Sequence, residues 1–334
     1  MKPQASAVDA NKRLGWVDLA KGICILIVVF DHCTLGHLHY FAKEQLLSFF
    51  MPLFFLLSGL FFRPYENFWA FLKRKINKLM VPFVFFLVLT SMLPFLIGHR
   101  YIPWEDYLFE SIIVYNSPLW FLLCLFFVSI MFYFIHRVAK CVSGKYYVLI
   151  ALLLSFAIGY FGIWLGIVRI RLCLYLDAAF TLLPFYAFGW WLFNSTDFIS
   201  SPISLKRDLP IAAISMIVLW LFAVPYEWFT NKLFPVAVYE LYLCGIAGSL
   251  LVLVCSKWLV SVKPVSTWGR FSLVILCVHY PILIFLVTFL SPYLHGYAFA
   301  FVAFLIVMGV THFMIAPMVK YLPHVTGQKN LIKV

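Results

Sequence analysis

The chain has 334 residues, of which 64% are hydrophobic and only 11% charged, with a mean hydropathy of +0.99. A soluble domain carries about 25% charged residues. This composition therefore excludes a soluble fold and points to an all-α, polytopic membrane bundle; the long apolar runs exclude a β-barrel, whose strands alternate over roughly 10 residues. The formal net charge of +12 reads as Lys and Arg gathered beside anionic lipid headgroups, not as a nucleic-acid surface.

Ten segments are apolar over the about 20 residues a span needs: 16–36, 45–62, 79–98, 117–136, 146–168, 174–194, 209–226, 236–256, 270–290 and 296–319. The longest connection is the amphipathic stretch 99–116. The small residues of ASAVDA (5–10) precede the first apolar segment, which argues against a cleaved leader. With the N-terminus in the cytoplasm, nineteen of the 25 Lys and Arg fall in inside segments and five in outside segments, with Lys21 inside the first helix. That asymmetry satisfies the positive-inside rule and expects both termini in the cytoplasm. The expected organisation is one membrane domain over 1–334, with 1–15 and 321–334 as cytoplasmic segments and no appended soluble domain. None of the eight cysteines forms a CxxC pair, so no zinc or redox motif is expected; they read as small buried hydrophobes.

The first segment, WVDLAKGICILIVVFDHC, carries Asp18, Lys21, Asp31 and His32. A charge at mid-membrane costs roughly 2.5–3.5 kcal/mol on insertion scales. Lys21 and His32 are eleven residues apart, which is about 20° off one helical face and about 16 Å along the axis. Asp18 neighbours Lys21 at i+3, so one stripe carries carboxylate, ammonium and imidazole. Asp31 lies about 100° round from His32, so it orients His32 through another residue or serves a different partner. Taken singly, Lys21 can snorkel to the interface, Asp18 can pair with it, and His32 can bond between helices. In combination, ionisable groups inside a membrane default to a functional role.

The second segment ends in Ser58-Gly59, small residues that allow close helix approach, and the serine can hydrogen-bond across an interface. A basic stretch follows with Arg63, Lys73, Arg74, Lys75 and Lys78. It is either ordinary inside-facing charge or a phosphate cradle at the cytoplasmic mouth. Further along, Trp120 and Tyr186 offer aromatic faces that suit packing or sugars. Arg169, Arg171 and Asp177 are an internal ion-pair set or acceptor-site groups. Glu240 is an outer-interface residue, a second acid/base or a sugar ligand. His37, His39, His99 and His295 fall in outer loops.

The motifs D-x-x-K-G-I-x-I-x-x-V-V-x-x-H (18–32), M-P-L-F-F-x-x-S-G-L-F (51–61), VPF (81–83), LWFL (119–122), LLPFYAFGWWL (182–192) and SLVILCVHYPI (272–282) occur in order along nearly the whole chain. Together they resemble the acyltransferase 3 family of integral membrane O-acyltransferases, and within it the branch labelled fucose 4-O-acetylase-like. The resemblance implies acyl transfer from cytoplasmic acyl-CoA, usually acetyl-CoA, to a sugar hydroxyl. The acceptor would be a surface glycan or its undecaprenyl-linked precursor at the bacterial inner membrane, with no metal. It implies His32 as catalytic base; Asp31 and Ser58 are counted with it as catalytic candidates on their own positions in the sequence. Lys21, where many members carry arginine, would contact the CoA, with Asp18 as its neighbour. Arg74, Lys73 and Lys75 would meet the CoA phosphates. His279, in VHYP, matches a recurring family position and would line the reaction chamber. Glu240, Arg171 and Trp120 are the remaining acceptor-side candidates.

The chemistry is consistent with those roles. A sugar hydroxyl needs a base to attack a thioester at neutral pH, and imidazole suits that task. A multi-helix transporter or flippase would also carry buried ionisable groups, although no inverted repeat is evident.

Overall fold

The computed structural model describes residues 14–34, 40–65, 67–92, 116–223, 226–228, 231–233, 238–259 and 262–334. The stretch 99–115 and His37, His39, His99 and Arg100 lie outside the described residues. Twelve helices run through the described residues: α1 (Gly15–Cys33), α2 (Tyr40–Leu60), α3 (Phe68–Lys75), α4 (Val81–Ser91), α5 (Trp120–Val142), α6 (Tyr147–Ile167), α7 (Leu176–Ser195), α8 (Leu205–Phe222), α9 (Val238–Trp258), α10 (Lys263–Arg270), α11 (Ser272–Leu290) and α12 (Gly296–Tyr321). A two-residue antiparallel pair, Tyr226–Glu227 with Lys232–Leu233, joins α8 to α9.

Six of these helices are long and apolar enough to cross a membrane: α5 with its short 3₁₀ lead, α6, α7, α9, α11 and α12. The expected count of ten is not reached on those criteria, for identifiable reasons. α1 has the length but carries Asp18, Lys21 and Asp31, and α8 carries Lys206, Arg207 and Asp208. The apolar part of α2 with described side chains is shorter, Glu44–Leu60, and α4 ends at Ser91, before the undescribed residues. α5 and α7 lie at the centre, whereas α6, α11 and α12 leave much of their length uncovered. Leu153 and Trp164 of α6, Trp220 of α8, and Phe301 and Phe313 of α12 are exposed. A water-facing monomer does not present so broad an apolar surface; hydrocarbon satisfies it.

The centre is held by close backbone contact. A Cβ on Gly59 of α2 would sit 2.0 Å from the Tyr186 carbonyl oxygen of α7, and a Cβ on Gly189 would sit 2.0 Å from that of Leu56. Ser58-Gly59 thus permits the close helix approach expected of it. Gly59→Ala or Gly189→Ala must push α2 and α7 apart; such overpacking costs about 1–3 kcal/mol. Each should lower the thermal unfolding midpoint in detergent, and an unchanged midpoint would show that the crossing is looser than described.

Two short helices and a π-helical turn were not expected from hydropathy. Asn67 caps α3 by accepting from the Trp69 amide (2.8 Å), and Phe71 of α3 stacks on Tyr133 of α5 at 4.7 Å. The π segment Ile76–Met80 carries the chain from α3 into α4, with Pro82 tolerated in the first turn of α4. α10 crosses α1 so tightly that a Cβ on Gly269 would lie 1.7 Å from the Asp18 carbonyl oxygen. One expectation is corrected: five cysteines are buried, but Cys141 and Cys173 are exposed and Cys255 is intermediate.

Candidate active site

α1 and α11 pack together, and their contact joins two histidines 247 positions apart. His279 is fully buried, and its Nε2 lies 3.3 Å from His32 Nδ1. Its Nδ1 lies 2.9 Å from the Ile275 carbonyl oxygen, one turn earlier on α11. A carbonyl only accepts, so His279 Nδ1 carries the proton and donates it. With both rings neutral, His279 Nε2 then accepts from His32 Nδ1–H. His32 Nε2 is left with the lone pair, the state a general base needs. Tyr280 completes the setting, its ring 5.4 Å from that of His32 and edge-on to it. His279, expected to line a chamber, has as its described hydrogen-bond partners the Ile275 carbonyl and His32. The Nδ1 partner described for His32 is therefore His279 and not Asp31. Asp31 is half-buried, and its backbone carbonyl accepts from the Thr34 hydroxyl at 2.7 Å.

At the end of the bundle that carries α3, an open cavity of about 760 Å³ is lined by Lys21, Arg63, Arg74, Lys75 and Lys78, with Tyr65 and Ser58. Arg74 lies over the Tyr65 ring at 5.0 Å, and Lys75 over the Phe71 ring at 5.5 Å. Burial pushes the Lys75 ammonium down to about 8; burial also lowers that of Lys78. Lys73 is not among the cavity-lining residues. Successive residues on a helix point about 100° apart, so Lys73, Arg74 and Lys75 cannot all face one cavity. Lys78, at i+4 from Arg74 and i+3 from Lys75, takes the place expected for Lys73.

A narrower cavity of about 180 Å³ shares Lys21, Ser58 and Lys78 with the wide one and adds Phe54, Phe121 and Leu276. Leu276 is one turn from His279 on α11. The Lys21 side of α1 therefore opens on a basic mouth, and an apolar cleft adjoins it that reaches Leu276; neither histidine is among the residues lining the two cavities. Lys21 also lies 5.4 Å from the Phe61 ring centroid. Ser58 does not act as expected: its hydroxyl donates to the Phe54 carbonyl of its own helix (2.8 Å) instead of across an interface. It remains a cavity-lining hydroxyl. Asp18 is half-buried, with α10 against its backbone carbonyl.

The other candidates fall elsewhere. Arg171 pairs with the buried Asp177 at 3.1 Å. Leu174 and Tyr175 take left-handed conformations at φ 59° and 58°, and the Tyr175 ring lies 6.1 Å from Trp120. This cluster sits at the start of α5, about 20 Å along the helix from Tyr133 and the α3 end. It is an internal ion pair with aromatic packing. Asn116, just before α5, donates to the Cys277 carbonyl at 2.8 Å, tying this end to α11. Glu240 is half-buried in the first turn of α9, where a helix N-terminus favours a carboxylate. No contact of Glu240 with the histidine pair is present among the described residues. Sequence inspection named Lys78 in the basic stretch without singling it out as a phosphate contact, and it missed the pairing of His279 with His32. The i+4 spacing from Arg74 is the signal that singles Lys78 out.

The family model described as "Acyltransferase domain" (acyltransferase 3) matches residues 14–313. No curated protein and no solved structure matches the chain. The matched span takes in α1 with Lys21 and His32, the basic mouth and α11 with His279, so the chain belongs to the acyltransferase 3 family.

Proposed function

We propose that the protein transfers an acyl group, most simply acetyl, from acyl-CoA to a sugar hydroxyl of a bacterial surface glycan or its lipid-linked precursor, with His32 as general base. In this reading the chain spans the inner membrane ten times with both termini in the cytoplasm, and the basic mouth faces the cytoplasm. One observation carries it: Lys21, on the helix that bears His32, lines both the basic mouth and the apolar cleft, whose lining reaches Leu276, one turn before His279 on α11. A CoA thioester has the matching polarity. Its phosphates suit Arg74, Lys75 and Lys78, and its uncharged arm suits the cleft.

The chemical step then balances as follows. His32 Nε2 takes the proton of the sugar hydroxyl as the oxygen attacks the thioester carbon. The tetrahedral intermediate collapses, the C–S bond breaks, and the sulfur leaves with the proton from the imidazolium. The products are an O-acyl sugar and CoA thiol. Hydrogen bonding to His279 holds His32 in the productive tautomer throughout.

Proteoliposomes supplied with acetyl-CoA labelled in the acetyl group and with lipid-linked glycan extract test this reading. Release of CoA thiol with label appearing in glycan is the expected result. Movement of glycan across the bilayer with no label incorporated would identify a flippase instead.

A further inference from the structure

Residues 322–332 fold back across the basic mouth as a strap. Beyond α12, the Gln328 and Lys329 amides both donate to the Pro323 carbonyl, at 2.8 and 2.9 Å. Two anchors then fix the strap to the basic segment. Lys78 donates to the Gly327 carbonyl. Asn77, 1% exposed on the π-helical turn, holds the far end. Its Oδ1 accepts from the Leu331 and Ile332 amides, both at 2.8 Å. Its Nδ2 donates to the Lys73 and Ile332 carbonyls, both at 2.9 Å. Two donated and two accepted bonds use the full capacity of a carboxamide, and π-helical turns recur at functional sites.

The anchors bracket three residues, and two of them, Gln328 and Asn330, line the cavity of the basic mouth. Gln328 Nε2 donates to the Thr326 carbonyl at 3.3 Å. The Asn330 carboxamide makes no hydrogen bond among the described residues. The cations of the mouth account for phosphates but for nothing else in a nucleotide. An Asn or Gln amide matches the donor–acceptor edge of adenine bidentately, and the Tyr65 ring, with Arg74 over it, borders the same cavity.

We propose that this strap is the base-recognising wall of the donor site: Asn330, flanked by Gln328, hydrogen-bonds the adenine of the acyl-CoA, and Asn77 is the positioning residue that holds the strap in register. The inference rests on the acyl-CoA reading and adds its nucleotide subsite. The test is calorimetric titration of the full chain in nanodiscs with CoA and with 4′-phosphopantetheine, which lacks the nucleotide. Q328A/N330A should weaken CoA binding about tenfold or more and leave 4′-phosphopantetheine binding unchanged. Asn77→Ala, which frees the strap without touching ligand, should do the same. Unchanged CoA affinity in Q328A/N330A overturns the inference. Equal weakening toward both probes also overturns it, since that marks a merely structural strap. A wild-type chain that binds neither probe overturns the acyl-CoA reading and the strap with it.

Discussion

His32→Ala will reduce acyl transfer about 10²–10⁴-fold, the usual contribution of a positioned general base, while the protein remains inserted and folded. His32 is half-buried, with His279 as its described hydrogen-bond partner and the Tyr280 ring edge-on to it, so the loss is of chemistry more than of packing. The partner separates orientation from reaction. His279→Ala removes the acceptor that keeps the proton on His32 Nδ1, and the ring then samples the tautomer with Nε2 protonated. Transfer should fall by about 10-fold or more, because a wrong tautomer alone disables a histidine base. His279→Gln keeps an acceptor oxygen within side-chain reach and should recover part of the rate. The measurement is transfer at saturating donor across a pH series. If His279→Ala and His279→Gln both matched the wild type, His279 would have no orienting role.

Donor affinity will fall as pH rises through about 8. The cause is Lys75, whose ammonium is held down to about 8 by burial beside Phe71. Below that value Lys75 is protonated and adds a positive charge to the mouth; above it the free protein presents a neutral amine. Binding of a CoA phosphate favours the charged form, so association near pH 8 and above takes up protons. Titrations of CoA in buffers of differing ionisation enthalpy will detect this uptake. Lys75→Gln should weaken binding at pH 7 and remove the uptake. Arg74→Ala and Lys78→Ala should each weaken CoA by roughly 10-fold or more, since a bond between charged groups contributes about 1.5–3 kcal/mol, and Lys78→Ala also releases the Gly327 anchor of the strap. The loss should be smaller at high salt. Lys73→Ala, outside the cavity-lining set, should change little. Equal losses from Lys73 and Lys78 would mean that net charge and not the described mouth governs binding.

Hydropathy conveys the membrane class and most helix positions, because apolar length is a local property. It is least decisive at α1 and α8, where charges interrupt the apolar run. In α1 one of those charges, Lys21, lines both cavities, so a residue that obscures the span also marks the candidate site. The helical period put Lys21 and His32 on one face, and the structure has Lys21 in the mouth and His32 beside α11. Period alone could not choose among Lys73, Arg74 and Lys75, since the choice depends on how α3 meets α5 and the π turn. The His32–His279 contact spans 247 positions, a separation no local pattern reports. The strap was invisible for a different reason. Gln328 and Asn330 carry no charge or motif, and their placement comes from the hydrogen bonds of a buried Asn77.

The central claim is that His32 drives acylation of a glycan. Mass analysis of surface glycan from cells producing the wild type, or equal amounts of membrane-inserted His32→Ala, tests it most directly. The account predicts an acyl mass increment on the wild-type glycan that is absent from the His32→Ala sample. The same increment in both samples, or in neither, would contradict it.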